Sequence, residues 1–427
     1  MVSIAFLGAV CYNRDAGRGD PLALRYFFVK EAIFVKEGKK AAAIGTTAIA
    51  VYVANYYLRH ILGVLTPTLL KNSEFTVDGI ATLSSVYMLF YAAGQVANGF
   101  LGDILSPKKM ASIGLFVAGL SMIAFPLLPM GFFQVACFAV FGYGLSMMRG
   151  PLMKIISENT VSAHARLICV FFSFSSFAGP LIASLFAMIG GWRNVFFAAG
   201  GVSFVFAITA YIVFTAMEKR GLISYRRSEA RGLSSITAVF RIENIAFYLI
   251  IACLVEIAAA SISQWITTFL TAALGFSEDK ANLIYTAIST ARSFMPFVTL
   301  AIFRAVGERD LPMMRVAFTV SATMFLLLLI SPNRFVSILL LALALMAMSC
   351  SSALLWSIYI PGLGKTGKVS SANGVIDCIG YIAAAGANLL FARVMGNVGW
   401  STVYVLWASM GVVGLAATVI FRRKKAE

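Results

Sequence analysis

The chain has 427 residues, of which 60% are hydrophobic and only 12% are charged, and its formal net charge is +16. So few polar residues cannot coat a water-soluble globule of this size, and the composition therefore predicts a protein whose solvent is lipid. In a soluble protein this charge would favour nucleic-acid binding. Here the basic residues lie in short links between long apolar segments, which argues against that class. The six cysteines are scattered, with no CxxC pair or metal-ligand spacing.

Twelve apolar stretches are each long enough to cross a bilayer core about 30 Å thick as an α-helix. They cover residues 42–70, 80–102, 108–129, 131–158, 163–190, 194–217, 244–273, 280–304, 311–331, 334–360, 368–396 and 400–422. Residues 1–10 are apolar but lack the preceding basic segment of a signal peptide. We therefore expect an all-α membrane protein with about twelve transmembrane helices, preceded by a cytosolic tail over residues 1–41.

The links between these stretches differ in charge on the two sides of the predicted membrane. One set carries most of the basic residues, namely Lys108, Lys109, Arg166, Lys219, Arg220, Arg226, Arg227, Arg231, Arg241, Arg304, Arg309, Arg315, Lys365 and Lys368. The opposite set holds little beyond Lys71, Arg193, Lys280 and Arg334. Because cytoplasmic loops of membrane proteins are enriched in lysine and arginine, we expect both termini in the cytoplasm. The protein would be a multi-pass protein of the cell (inner) membrane.

The chain contains an internal repeat. The segment TPTLLKNSEFTVDGIATL from Thr66 aligns without a gap with TTFLTAALGFSEDKANLI from Thr267, pairing Asp78 with Asp279. Many transporters place a substrate site between two such related halves. The repeat predicts an N-terminal six-helix half (42–217), a cytosolic linker (218–243), a C-terminal six-helix half (244–422) and a short cytosolic tail (423–427).

The link after the second helix carries a recognisable motif. Its sequence GFLGDILSPKK includes Gly99, Asp103, Lys108 and Lys109. This segment resembles the G-x-L-x-D-x-x-G-x-K/R signature of the major facilitator superfamily, although Ser106 replaces the usual later glycine. A glycine at 99 permits close helix approach, the aspartate lies at the inner end of the second helix, and the lysines begin the third. The resemblance implies the major facilitator fold and a conformational role for these four residues.

An arginine lies deep in the first predicted helix. Charged side chains at bilayer depth are costly and therefore indicate function, and Arg59 lies only about 5 Å from the middle of its helix. Its context, NYYLRHILGVLTP with Tyr56 and Pro67, resembles the first helix of the organophosphate:phosphate antiporters, the sugar phosphate and glycerol-3-phosphate transporters. In that family an arginine eight residues before a proline binds substrate phosphate. A guanidinium binds phosphate or carboxylate through paired hydrogen bonds. The alternative is a structural arginine paired to a helix end or a carboxylate.

The sequence also departs from that family. Residues 258–260 are alanines where the family has a second arginine, and Gln95 stands where it usually has a lysine. Other cations are present at Arg149 and Lys154 in the fourth helix and at Arg292 in the eighth. We expect some of them to rebuild an anion site, although Lys154 is as compatible with snorkelling to the cytosolic interface. The candidate substrate-binding residues are Arg59, Arg149, Arg292, Tyr56, Lys154 and Gln95.

Two acids lie at membrane depth in the C-terminal half. Glu256 in the seventh helix and Asp377 in the eleventh are unusual for the antiporter family. One interpretation is an ion-pair cluster in which both acids surround Arg292. The other is proton coupling, because an unpaired buried carboxyl can carry a proton.

The sequence contains no phosphate-binding loop, HExxH motif or GxSxG motif, so it predicts neither an enzyme nor a cofactor, and it assigns no catalytic or metal-binding residue. The predicted function is secondary active transport of a small organic anion, sugar-phosphate-like or carboxylate, by alternating access as an antiporter. The alternatives are a proton-coupled symporter of a carboxylate or neutral solute, and a non-transporting sugar-phosphate sensor. The expected partners are an anionic small molecule and the lipid bilayer, with a monomeric protein.

Overall fold

A computed structural model of the chain describes residues 21–71, 75–129, 131–226, 238–331, 333–397 and 400–421. Those residues are almost entirely helical and include no β-strand. The long helices are α1 (Pro21–Leu70), α2 (Val77–Ile104), α3 (Pro107–Ala124), α4 (Phe132–Asn159), α5 (Ser162–Ala187), α6 (Trp192–Lys219), α7 (Ile245–Thr268), α8 (Glu278–Ala305), α9 (Asp310–Leu327), α10 (Arg334–Thr366), α11 (Val369–Asn397) and α12 (Trp400–Ile420).

These helices match the twelve that the sequence predicts. Among the described residues, 11 helices are long and apolar enough to cross a membrane. The remaining helix, α11, has 29 residues, which at about 1.5 Å per residue is also longer than a bilayer core. The all-α fold with about twelve transmembrane helices is therefore confirmed. The first helix begins earlier than expected, because residues 21–41 of the predicted tail are helical and continue into the first span.

Each of the two copies of the sequence repeat contains the start of a helix. The Thr76 hydroxyl accepts a hydrogen bond from the Gly79 amide (3.1 Å) at the start of α2, as N-terminal capping residues commonly do. Ser277 holds the corresponding position before α8, with Glu278 and Asp279 in the first turn. Acidic residues there interact favourably with the positive end of the helix dipole.

Several helices are interrupted where the sequence predicts continuous ones. Helix α4 breaks at Met147 before resuming at Arg149, and α5 breaks at Phe174. In α10 the residues Leu354–Tyr359 form a π-helical turn. Such turns shift the side chains that follow and are common at functional sites, but hydrophobic periodicity does not reveal them.

The outer surface of the bundle is strongly apolar. Large side chains are exposed around it, among them Leu89 (66%), Phe132 (79%), Met188 (80%) and Val316 (64%). A soluble monomer rarely exposes so much contiguous apolar surface. Lipid chains are the solvent that this surface fits.

The helices form two six-helix groups. In the N-terminal half α1 packs on α5 and α6, α2 on α4, and α3 on α6. In the C-terminal half α7 packs on α11, α9 on α10 and α12, and α8 on α10. The halves meet chiefly where α11 packs on α2 and α4 and where α5 packs on α8 and α10. The candidate site lies between these contacts.

Candidate functional site

A cavity of about 430 Å³ lies between the two halves. Its walls come from α1, α4, α5, α7, α8, α10 and α11 and mix serine hydroxyls with apolar and charged side chains. The charged side chains are Arg149, Glu256 and Arg292. Cavities of a few hundred Å³ with a few convergent polar groups are typical of small-molecule sites.

Arg149 pairs across the two halves with Asp377. The Arg149 Nη1 atom donates to the Asp377 Oδ1 atom at 2.6 Å, and the Asp377 side chain is only 1% exposed. The amide of Asn373 donates to the second carboxylate oxygen at 3.3 Å, and the guanidinium of Arg149 lies 4.0 Å from the centre of the Trp356 ring. Asp377 is thus satisfied by an ion pair and a hydrogen bond.

This geometry corrects the prediction that Asp377 and Glu256 surround Arg292 in one ion-pair cluster. Helix α11 packs against α2, α4 and α7 rather than α8, so Asp377 reaches Arg149. Among the described residues, Arg292 has no carboxylate within the 4.0 Å limit of a salt bridge. Its Nε atom donates to the Ser349 hydroxyl at 3.1 Å. The two terminal nitrogens of its guanidinium are therefore available to a ligand in the cavity.

Glu256 lines the same cavity from α7 and takes part in no ion pair with a described residue. Trp356 of α10 lines the same cavity. Gly380 of α11 packs against the stem of Glu256, since a Cβ atom at Gly380 would lie 2.7 Å from the Glu256 Cγ atom. This packing fixes the stem of Glu256 in the cavity wall.

Arg59 lies among tyrosines. Its Nη2 atom donates to the Tyr381 hydroxyl at 2.7 Å, and its guanidinium lies 4.6 Å from the Tyr91 ring centre and 5.7 Å from that of Tyr56. Tyr56 and Tyr381 line the cavity, whereas Arg59 is not among its lining residues. The assignment of Arg59 to substrate stays a prediction, and in this conformation aromatic rings and a hydroxyl hold its charge.

Lys154 and Gln95 do not line the cavity, although both were expected in the substrate site. Lys154 is 1% exposed, and its Nζ atom lies 3.2 Å from the Asp103 Oδ1 atom and 3.9 Å from the Glu158 Oε1 atom. It therefore does not snorkel to the interface either. Gln95 is also 1% exposed, and its backbone carbonyl oxygen packs against Gly374 of α11. Both lie where α2, α4 and α11 pack together, which turns them away from the cavity.

The motif after α2 holds the halves together. Asp103 accepts hydrogen bonds from the backbone amides of Ser370 (3.2 Å) and Ser371 (2.9 Å) and from the Ser371 hydroxyl. It thereby caps the N-terminus of α11, where the helix dipole favours an anion. A Cβ atom at Gly99 would lie 3.0 Å from the Ser370 carbonyl oxygen, so a side chain there would separate the helices. We call Gly99, Asp103, Lys154, Ser370 and Ser371 the seam.

The two lysines of the motif do not belong to the seam. Lys108 pairs with Glu218 and donates to the Thr215 hydroxyl at 3.1 Å, both on α6 of its own half. Lys109 is exposed. Lys108 stabilises the packing of α3 on α6 rather than the contact between halves.

Further contacts close the same end of the bundle. We call this end the basic face, because it carries Lys108, Lys109, Arg166 and Arg304. The Arg166 Nη1 atom lies 2.7 Å from the Glu308 Oε2 atom across the halves, and Gly364 of α10 abuts the Ser157 carbonyl group of α4. Together with the seam, these contacts join the two halves at the basic face, so the bundle is closed at this end.

Comparison with known proteins identifies the class. The sequence matches the Major Facilitator Superfamily over residues 48–385, and the chain belongs to that superfamily. It is 23% identical over 220 residues to the uncharacterized MFS-type transporter YwoD of Bacillus subtilis, an alignment that covers 49% of this chain and 45% of the relative. It is 22% identical over 248 residues to the uncharacterized MFS-type transporter Rv1250 of Mycobacterium tuberculosis, covering 57% and 40%. The chain thus spans less than half the length of the curated relatives it matches.

Solved structures show the same fold. The proton:xylose symporter XylE is 13% identical, with a TM-score of 0.66 over 90% of this chain and 96% of the other. The E. coli fucose:proton symporter FucP is 12% identical, with a TM-score of 0.70 over 88% and 98%. The chain therefore has the two-half major facilitator fold. The narrower resemblance to the organophosphate:phosphate antiporters stays a prediction.

Trp356 lines the cavity but is not among the residues that the sequence indicated for the site. Its position in the tenth predicted helix resembles ordinary core packing. One signal was available, because Ser349, Ser352 and Trp356 recur at helical spacing, and all three line the cavity.

Proposed function

We propose that the chain is a secondary transporter that moves a small organic anion by alternating access, with Arg292 as the principal anion ligand. The observation that carries this proposal is the guanidinium of Arg292. It lines a cavity between the halves, is oriented by Ser349, and has no carboxylate partner among the described residues. A guanidinium with free terminal nitrogens can form two parallel hydrogen bonds to a carboxylate or a phosphate.

The balance of charge supports a singly charged anion. Three arginines (Arg59, Arg149, Arg292) and two acids (Glu256, Asp377) lie at or beside the cavity. Asp377 already neutralises Arg149, and burying further unpaired charge is costly. One net positive charge therefore fits a carboxylate better than a doubly charged phosphate.

Small hydroxyl groups support a polar substrate body. Ser289 and Ser293 of α8 line the cavity one helical turn apart, on the helix that carries Arg292. Serine hydroxyls both donate and accept hydrogen bonds, so they suit a hydroxylated or carbonyl-bearing carboxylate. We place this monomeric protein in the inner membrane with both termini in the cytoplasm, in line with the positions of its basic links.

Ligand-induced thermal stabilisation of the purified protein tests the proposal. The probes are lactate, succinate and glycerol 3-phosphate, with glucose as a neutral comparison. A ligand that binds the folded state raises its stability by mass action. We expect stabilisation by lactate in the parent, and Arg292→Gln to weaken binding by about 10- to 100-fold, because a charge-assisted hydrogen bond contributes about 1.5–3 kcal/mol.

Arg304→Gln is the matched control, since Arg304 is an exposed arginine at the end of the same helix. It should bind like the parent. Equal binding by Arg292→Gln and the parent would contradict the proposal, as would stabilisation by glucose alone. Stabilisation by an anion with no flux in vesicles would instead indicate a sensor.

A further inference from the structure

Two groups of opposite charge face the cavity without forming ion pairs. Glu256 of α7 and Arg292 of α8 both line it, and neither is paired with any residue that the structure describes. They are not paired with each other either, so more than 4.0 Å separates the carboxylate oxygens from the guanidinium nitrogens. Because burying an unpaired charge is costly, each group favours a ligand atom of the opposite charge.

Local packing holds each of the two groups in its own position. The Arg292 Nε atom donates to the Ser349 hydroxyl of α10 at 3.1 Å. Glu256 is fixed by a different helix, because a Cβ atom at Gly380 of α11 would lie 2.7 Å from the Glu256 Cγ atom. All four residues belong to the C-terminal half. The spacing between the two charges is therefore set within one half and does not depend on how the halves are arranged.

The other charged groups near the cavity have partners. Asp377 pairs with Arg149 at 2.6 Å. Arg59 is not among the lining residues, and its Nη2 atom donates to the Tyr381 hydroxyl at 2.7 Å. A ligand in the cavity therefore meets one acid and one base that are free to pair with it.

We infer that the cavity binds a small carboxylate that also bears an amino group, with Glu256 as the ligand of the ammonium and Arg292 as the ligand of the carboxylate. This inference rests on the proposed function for the role of Arg292, and it adds the group that Glu256 recognises. The two ends of the ligand supply the opposite charges that the side chains do not supply to each other. Both contacts are charge-assisted hydrogen bonds, which are stronger than those between neutral groups.

The size and the lining of the cavity suit such a ligand. Its volume of about 430 Å³ lies near the lower end of the range for small-molecule sites, roughly 300–1,000 Å³. A ligand whose charges are a few bonds apart can bridge Glu256 and Arg292 across so compact a space. The rings of Tyr56, Tyr285 and Tyr381 also line the cavity. Because aromatic faces attract cations, this lining favours an ammonium group over a second carboxylate.

Thermal stabilisation of the purified protein by matched pairs of ligands tests the inference. Alanine and lactate share a carbon skeleton and differ in an ammonium against a hydroxyl group, and 4-aminobutyrate and 4-hydroxybutyrate form a longer pair. In at least one pair we expect the parent to bind the amine about tenfold or more tightly than the hydroxy acid, because a charge-assisted hydrogen bond replaces a neutral one. Glu256→Gln should reduce that preference to about twofold or less and still bind the hydroxy acid.

Two further variants separate the charge of Glu256 from general effects. Glu278→Gln is the matched control, since Glu278 is an exposed glutamate in the first turn of α8, and it should keep the preference of the parent. Glu256→Asp keeps the charge but withdraws it by one methylene. It should therefore raise the affinity for 4-aminobutyrate relative to alanine, a result that does not require Glu256→Gln to fold.

The inference is overturned if neither amine is preferred by the parent, if the preference survives in Glu256→Gln, or if Glu278→Gln removes it equally. An unchanged ratio of the two amines in Glu256→Asp also counts against it. Lactate binding that depends on Arg292, without a preference for either amine, would refute this inference and leave the proposed function in place. A preference for an amine that depends on Glu256, with equal binding by Arg292→Gln and the parent, would refute the proposed function and retain the ammonium site. No binding of any of the four ligands would refute both.

Discussion

Asp103→Asn is expected to open the basic face. The substitution keeps the shape of the side chain but removes the negative charge of the carboxylate. That carboxylate lies 3.2 Å from the Lys154 Nζ atom and accepts two backbone hydrogen bonds from α11. Both Asp103 and Lys154 are 1% exposed. Breaking a buried ion pair costs about 3–5 kcal/mol. The introduced amide retains an acceptor oxygen, and Glu158 remains 3.9 Å from Lys154. We therefore expect a cost of about 3 kcal/mol, which raises the fraction of molecules with an open basic face about a hundredfold.

The assay is labelling of a single cysteine introduced at Ser173, in a background without the native cysteines. Ser173 lines the cavity and lies 3.4 Å from the Ser357 hydroxyl across the halves. An impermeant maleimide is applied only from the basic face, so its rate follows the open population.

Glu218→Gln is the control, because its partner Lys108 belongs to the same half. It should label like the parent. The reasoning fails if Asp103→Asn labels no faster than the parent, or if Glu218→Gln accelerates labelling as much.

Two further substitutions compare how much close helix packing and an exposed ion pair each stabilise the closed basic face. Gly374→Ala places a methyl group against the Gln95 carbonyl oxygen, so it should destabilise the closed basic face by about 1–3 kcal/mol. In the same labelling assay Gly386→Ala, on the same helix with no neighbour within 4 Å, should have no effect. Arg166→Gln removes the pair with Glu308, whose side chain is 53% exposed. It should open the face by less than about 1 kcal/mol, and faster labelling than with Gly374→Ala would contradict this ranking.

Much of the architecture could be predicted from the sequence because it depends on local properties. Long apolar runs, the charge of the links and the glycine at 99 are readable along the chain. The expected close approach at Gly99 is observed, with the Gly374 Cα atom 3.1 Å from the position of a Cβ atom. The position of Asp103 at the end of α2 follows from the same local signals.

The partners inside the membrane could not be predicted in this way. Arg149 and Asp377 are 228 residues apart, and their pairing depends on how α11 rotates between α2, α4 and α7. The chain order of charges suggested Arg292 as the partner of Asp377 because both belong to one half. Trp356 enters the cavity through a π-helical turn, which no hydrophobic pattern reports.

The role of Arg59 shows a related limit. Its depth in the first helix indicated an anion ligand, yet Tyr91 and Tyr381 lie around its guanidinium. Tyrosines spaced along different helices give no sequence signal that they converge on one arginine. Depth in the membrane identifies a charge that needs a partner, but the partner is decided by tertiary packing.

Counterflow in proteoliposomes tests the central claim most directly. Vesicles preloaded with unlabelled lactate, succinate or glycerol 3-phosphate are given the same labelled anion outside, for the parent, Arg292→Gln and Arg304→Gln. The account predicts exchange of lactate by the parent and Arg304→Gln, and a rate at least about tenfold lower for Arg292→Gln at subsaturating lactate. Equal exchange by Arg292→Gln and the parent would contradict it.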